Sequence, residues 1–427
     1  MPLSFAAVVS ALLAAGLPVF IALSLAVMAF IALTTATPPQ LVIQRMFSGL
    51  DKFPLMAIPF FILAGNLMVS GGLSKRLIRL ANALVGPLPG GLAMTTVLSA
   101  MFFSAISGSS PATVVAVGKL MLPAMTEAGY KRAFAVGLLM GAGSLGIVIP
   151  PSIFMIVYGA VTGVSIGALF LSGFGAGLIY GALFFAVAVV YSAWHRLPRA
   201  SHWSWREVAA ATRDAAWGLL IPVLILGGIY GGFFTPTEAA AVAVVYTAFV
   251  TLVVHGELDW GSFCRTLVDS GVTTAQVMII LAAAQAFAWY LTTSGLAREL
   301  AGLTTAMGSD PLQVLLLINA MVLVAGMYLD PNAIVVILVP LLTAAAATAG
   351  IDPIHLGVVL AVNAAIGMFT PPFGLNLFVA GSLGVSYGEA IRGALPFVLV
   401  GVAALLLISL FPAVSLWLPA QVYRGVQ

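Results

Sequence analysis

Long apolar runs separated by short charged segments set the pattern of this chain. Runs of roughly 17 to 25 apolar residues are the length that crosses a hydrocarbon core as a helix. They occur near 3–17, 18–36, 53–70, 168–194, 215–234, 236–254, 272–292 and 394–419. Four further regions are apolar but carry Pro, Gly, Ser, Thr or Asn near their centres: 90–122, 134–162, 311–349 and 355–385. Two of these share a frame of Gly, three residues and Pro-Pro, reading GIVIPPSIFM from Gly146 and GMFTPPFGLN from Gly367. Consecutive prolines remove amide donors and clash with the preceding turn. Both frames therefore predict a helix that breaks at membrane depth.

Composition fixes the class. Of 427 residues, 62% are hydrophobic and 7% are charged, against roughly 25% charged in soluble domains, so the chain is expected to be an all-α polytopic membrane protein. Its first basic residue is Arg45, and an apolar start without a basic n-region is expected to remain as an anchor. The single cysteine, Cys264, excludes an internal disulfide and reads as a small apolar filler. His195, His202, His255 and His355 have no metal-ligand spacing. GAGSLG at 141–146 matches a dinucleotide fingerprint in letters, but no strand precedes it, and small-residue helix packing explains it better. No Walker motif is present, and the basic residues lie in short loops, which argues for orientation in a bilayer and against nucleic-acid binding.

Topology follows if 90–122 and 311–349 are re-entrant hairpins while 134–162 and 355–385 each cross once with a break. One side then holds Lys75, Arg76, Arg79, Lys131, Arg132, Arg196, Arg199, Arg206, Arg213, Arg265 and Arg392, and the other Arg45, Lys52, Arg298 and Arg424. The richer side is expected to be cytoplasmic. The remaining cation, Lys119, lies in the first hairpin and is expected to snorkel. The halves also echo one another: SGGLSKRL (70–77) pairs with TSGLAREL (293–300), and the tip SGSSPAT (107–113) with LDPNAIV (329–335). With the two Pro-Pro frames, this is the pattern of an inverted-topology repeat. The expected organisation is N-terminal scaffold helices (1–70), a first half with hairpin and broken helix (71–194), and a charged interfacial linker (195–214). Scaffold helices of the second half (215–292), a second hairpin and broken helix (293–385) and a C-terminal span (386–427) follow.

Broken backbone in a membrane persists only where protein, water, ion or substrate satisfies it. The frames free carbonyls near Gly146, Ile149, Gly367 and Thr370, which are hard oxygen donors suited to a small cation, at helix ends that carry partial negative charge. The hairpin tips supply the opposite pole. Pro111 follows Ser110 and Pro331 follows Asp330, as at helix N-termini whose free amides favour a carboxylate. Ser109, Ser110, Asp330, Asn332, Pro150 and Pro371 are accordingly the substrate-binding candidates. Ser104 and Ser107 share a helix face; ligation of a cation and ordinary interhelical bonding are both open to them. Asp330 reads as a functional charge or as a helix cap, and Glu238 as a first-turn stabiliser of its helix.

Several stretches resemble one family over nearly the whole chain. SAISGSSPATVVAVGKLMLPAM, GYKRAFAVGLLMGAGSLGIVIPPSIFMIVYG, GGFFTPTEAAAVAVVY, YLDPNAIVVILVPLL and IGMFTPPFGLNLFV, in that order, resemble the large membrane subunit (DctM-like) of tripartite ATP-independent periplasmic (TRAP) transporters. The resemblance implies a sodium-driven, non-enzymatic importer of an organic acid in the bacterial inner membrane. A periplasmic substrate-binding protein and a separate small four-helix membrane subunit are implied as partners, and an elevator motion as mechanism. It implies one sodium at Ser104, Ser107, Gly146, Ile149 and Pro151, and another at Gly326, Gly367, Thr370 and Phe373. A C4-dicarboxylate, sialic acid, another sugar acid or a keto acid falls within the implied substrate range. The competing readings are a stand-alone ion-coupled dicarboxylate carrier of hairpin type and, remotely, an intramembrane protease or channel subunit.

Overall fold

In the computed structural model, residues 8–9, 11–12, 15–34, 38–294 and 310–423 are described. Among them the fold is helical with no strand, and eight helices are long and apolar enough to cross a membrane. The all-α polytopic expectation is met. TSGLAREL from Gly295 onward, including Arg298, and also Arg424 and most of the first apolar run, lie outside the described residues.

Each Pro- and Gly-marked region forms the element that its punctuation dictates. The first hairpin consists of Gly91–Ser107 and Ser110–Glu127. Its turn rests on Gly108, at φ +59°, a left-handed conformation that glycine adopts without a Cβ penalty. The second hairpin consists of Pro311–Gly326 and Pro331–Thr348, each arm starting with Pro directly after an Asp cap, Asp310 and Asp330. The first broken helix runs Arg132–Gly143, Leu145–Val148, then Ile153–Thr162 after the Pro-Pro pair. The second runs Pro353–Gly367 and then Leu375–Gly381.

The two halves interlock reciprocally. Ile153–Thr162 of the first broken helix packs on the returning arm Pro331–Thr348, and Leu375–Gly381 of the second packs on the returning arm Ser110–Glu127. Likewise Ile166–Trp194 lies against Pro353–Gly367, while Tyr387–Leu410 lies against Arg132–Gly143. Glycines permit these approaches: a Cβ on Gly357 would come within 2.8 Å of the Leu169 side chain, and one on Gly137 would run into the Gly393 carbonyl oxygen. Small residues at such contacts are what close packing between membrane helices requires, because lipid offers no hydrophobic gain from association.

Around this body stand Ala57–Ser70, Trp205–Tyr230, Pro236–Phe249 and Trp260–Thr293, with Val19–Thr34 and Gln40–Leu50 packed on the last. Asn66 Nδ2 donates to Ser270 Oγ at 2.9 Å, and Thr266 Oγ1 donates to Ser70 Oγ at 3.2 Å, so Ala57–Ser70 and Trp260–Thr293 share a polar seam. Three sequence expectations change. The stretch 195–214 is no separate interfacial helix, because its residues from Trp205 onward form the first turns of the continuous helix to Tyr230; Ser204 caps that start through the Glu207 amide. The run 394–419 is two helices, Tyr387–Leu410 and Ala413–Val422, divided at Phe411–Pro412, since Pro cannot continue the ladder. Cys264 is exposed rather than packed. Glu238 does what its position suggests, closing a capping box in which its carboxylate accepts from the Thr235 amide at 2.8 Å and Thr235 Oγ1 accepts from the Glu238 amide at 3.3 Å.

The helix Leu73–Val85 is amphipathic, and its basic side chains hold it to the neighbouring elements. Arg76 bridges Asp214 at 3.2 Å and Glu257 at 2.5 Å, while Arg79 pairs with Glu207 at 2.9 Å and Asp214 at 3.2 Å. His255 sits beside this cluster in the loop after Val254. Burial first, and the Arg76 charge second, hold its pKa below the usual histidine range, against the opposite pull of Glu257 and Asp214. The folded state thus prefers the neutral ring. Stability is complete above the unfolded value of 6.5 and falls as pH drops below it. The detergent-solubilised protein should therefore lose melting temperature on going from neutral to mildly acidic buffer, and His255→Phe should shrink that loss; an identical pH profile in the variant would contradict this placement.

Candidate functional site

Where the prolines interrupt the helices, other groups take up the backbone. In the first break, positions 150 and 151 offer no amide, so the carbonyls of Gly146 and Ile147 lose their helical donors. Ser152 Oγ donates to the Ile147 carbonyl at 2.5 Å. Gly146 faces the first hairpin tip so closely that a Cβ there would lie 2.6 Å from the Ser109 carbonyl carbon, and one on Gly108 would lie 2.6 Å from the Pro151 oxygen. The tip and the break therefore meet backbone to backbone. Ser107 Oγ is 3.3 Å from Thr113 Oγ1 within the same tip. Ser104, one turn lower, is fully buried with a hydroxyl that has no hydrogen-bond partner among the described residues.

The second break repeats the arrangement with different atoms. Gly326, at the end of the second hairpin's first arm, touches Gly367, and a Cβ on Gly326 would stand 3.2 Å from the Gly367 Cα. Thr370 Oγ1 donates to the Ile366 carbonyl at 2.7 Å. The Gly367 carbonyl accepts from the Thr370 amide at 3.2 Å and the Thr370 carbonyl from the Gly374 amide at 3.1 Å. Each carbonyl keeps a second lone pair. Phe373 is exposed and its ring lies 5.6 Å from that of Tyr328 in the second tip. Asp330 caps the returning arm, its Oδ1 accepting from the amides of Asn332 at 2.9 Å and Ala333 at 3.2 Å.

Between the tips lies a cavity of about 540 Å³. Ser109, Ser110, Asp330 and Asn332 line it, together with Asn66 and Gln276 from the surrounding helices. Two helix N-termini, at Ser110–Pro111 and at Pro331, border the same space. The first of these ends has amides that favour an anion, the second has its Asn332 and Ala333 amides taken by the Asp330 carboxylate, and the glycine-lined breaks beside them present carbonyls. Residues 6–414 match the family described as "Tripartite ATP-independent periplasmic transporter, DctM component". The chain belongs to this family.

Among DctM relatives, the C4-dicarboxylate TRAP transporter large permease protein of Pseudomonas aeruginosa is 46% identical over 88% of this chain and 88% of its own. The isethionate TRAP transporter permease protein DctMQ of Oleidesulfovibrio alaskensis is 40% identical over 95% of this chain and 64% of its own length. In fold, this DctM chain is similar to the Alcanivorax borkumensis YdaH transporter, with a TM-score of 0.59 at 15% identity, over 84% of this chain and 86% of that one. The relatives are transporter permease subunits rather than enzymes.

The structure brings the sequence candidates of this DctM subunit into two clusters and one cavity. Ser107, Gly146 and Pro151 gather at the first tip with Ile149 in the adjoining extended segment, and Ser104 lies one turn below. Gly326, Gly367, Thr370 and Phe373 gather at the second tip. Of the substrate candidates, Pro150 and Pro371 do not line the cavity, and the Ser110 hydroxyl is engaged by Asn376.

Asn376 is the residue that motif reasoning passed over, although it stands in the quoted GMFTPPFGLN frame. Fully buried, it donates from Nδ2 to Ser110 Oγ at 2.8 Å and to the Met140 carbonyl at 3.1 Å, tying the second break to the first hairpin and the first broken helix. A second buried bridge runs from Asn363 Nδ2 to the Asn319 carbonyl at 3.0 Å and from Asn319 Nδ2 to Ser409 Oγ at 2.9 Å. A lone polar side chain in an otherwise apolar run was the available signal for each. Asn376→Leu strands buried polar partners in two other elements, a loss of about 1–3 kcal/mol, so the variant should melt clearly below wild type in detergent. Ser110→Ala, which leaves the Met140 bond in place, should cost less; a reversed order would show that the clasp is not the organising contact.

Proposed function

We propose that this chain is the large permease subunit of a sodium-driven importer of an organic anion in a bacterial inner membrane, working with a periplasmic binding protein and a small four-helix subunit. The observation that supports this most is the cavity between the hairpin tips, bordered by two helix N-termini and flanked by two glycine-lined breaks. The anion's carboxylate would meet the Ser110 amide at the first tip, with the side chains of Ser109 and Asn332 as further partners. Sodium would be held by oxygens of Ser104, Ser107, Gly146, Ile149 and Pro151 on one side, and of Gly326, Gly367, Thr370 and Phe373 on the other. The donors fit: they are hard oxygens, one buried hydroxyl stands without a partner, and glycines keep the breaks open to close backbone approach. The naming of the Oleidesulfovibrio relative, DctMQ, supports a small subunit as partner.

The cavity touches both the interlocked body and the surrounding helices, through Ser107 and Asp330 on one wall and Asn66 and Gln276 on the other. A body that slides against those helices would carry the cavity from one face to the other, which is the elevator motion. Each net charge that crosses 100 mV supplies about 2.3 kcal/mol; two sodium ions with a monoanion retain one such charge, with a dianion none, and the chemical gradient of sodium supplies the rest. C4-dicarboxylates are the first substrates to try, on the likeness to the Pseudomonas relative.

Uptake into proteoliposomes holding this chain and its small partner should require both an inward sodium gradient and the cognate binding protein. Thr370→Ala should weaken the dependence on sodium, and Gly146→Val should abolish uptake while the protein still inserts. Sodium-driven uptake without the binding protein would move the chain to the stand-alone carriers; unchanged sodium dependence in both variants would remove the Pro-Pro frames from the mechanism.

A further inference from the structure

Lys119 stands apart from the transport chemistry. It is exposed on the returning arm of the first hairpin, and it has no hydrogen bond or ion pair among the described residues. A recess of about 410 Å³ opens beside it, walled by Thr126 on the same arm, Arg132 at the start of the first broken helix, and Ser382 and Leu383 in the turn that ends the second. Arg132 is fixed at this wall. Its Nη2 donates to the Gly384 carbonyl at 2.7 Å and its Nε lies 3.6 Å from Glu389, so Nη1 remains for a ligand. With Lys119 and Arg132 set against Glu389, the recess carries a net positive charge, and Leu122, Pro123 and Leu383 give it an apolar side.

Depth identifies the ligand. Lys119 stands nine helical steps beyond Ser110, or roughly 13 Å along the axis, and the half-thickness of a hydrocarbon core is about 15 Å. With the tip near midplane and the hairpin entering from the cytoplasm, the Lys119 backbone lies just inside the hydrocarbon boundary of the inner leaflet, and its side chain snorkels outward to the phosphates. This placement rests on the bilayer orientation used above. We propose that the recess binds the phosphodiester headgroup of an anionic phospholipid, Lys119 acting as a point charge and Arg132 as a directional donor. The glycerol and upper acyl carbons cover the apolar side. Because its walls come from the first hairpin and from the turn after the second broken helix, a bound lipid holds the two halves of the body together on their cytoplasmic side.

Free phosphate offers the same chemistry, and the test separates the two. Purified transporter is placed in nanodiscs of phosphatidylcholine with increasing phosphatidylglycerol, and its melting temperature gives an apparent affinity for the anionic lipid. Lys119→Gln should weaken that affinity about five-fold, the worth of one basic residue at an anionic surface, and Lys119→Arg should restore it. Lys119 is exposed, so its variants report on binding rather than on folding; Arg132→Gln provides the second reading. Affinity unchanged in both Gln variants would overturn the site. Equal, Lys119-dependent stabilisation by inorganic phosphate in phosphatidylcholine alone would overturn the lipid as its occupant. The readout is lipid binding, so its failure leaves the sodium-driven uptake to be judged separately.

Discussion

A backbone amide or carbonyl without a partner costs several kcal/mol in hydrocarbon, and this chain creates such groups at two Pro-Pro frames and two hairpin turns. The rest of the body is arranged to meet that cost. Each break is brought against a hairpin tip, Gly146 against Ser109 and Gly367 against Gly326, with no side chain between. Some carbonyls are met by local donors, as Ile147 is by Ser152 and Met368 is by the Asn376 amide at 2.7 Å. The proposed cation sites draw on the remaining oxygen capacity of the carbonyls there.

The same constraint explains the interlock. Each break meets the hairpin tip of its own half, while the helical segment beyond the break packs on the hairpin of the other half. The first broken helix is completed by the second hairpin's returning arm, and the second by the first hairpin's. Asn376 secures that exchange with bonds that reach Ser110 and Met140, and the Asn363–Asn319–Ser409 bridge secures the other end of the second half. Glycine at 177 and 401 lets Ile166–Trp194 and Tyr387–Leu410 close around the pair. The result is a body held by short-range polar clasps inside, while its outer helices join one another through separate polar contacts such as Asn66–Ser270 and Arg76–Asp214.

Much of this was legible along the chain because proline and glycine act locally. Pro111, Pro331 and the two Pro-Pro pairs mark hairpin arms and breaks wherever they fall, and the basic loops mark a side. Less legible were features that depend on what stands across the gap. Asn376 lies 266 residues from Ser110, and no local rule pairs them. The continuation of the Trp205 helix through the charged stretch to Tyr230 was hidden for a related reason: Arg213 and Asp214 read as the end of a separate interfacial linker, yet Asp214 is drawn into the helix face that meets Arg76 and Arg79. Asp330 shows both readings at once, capping its arm through one oxygen while lining the cavity.

The most direct test of the central claim, that the two breaks are built around a small cation, is thermal denaturation of the purified subunit in sodium against potassium at equal ionic strength. Sodium should raise the melting temperature selectively, and the increment should shrink in Thr370→Ala and again in Gly146→Val. Equal stabilisation by the two cations, or a sodium increment untouched by both substitutions, would contradict the account.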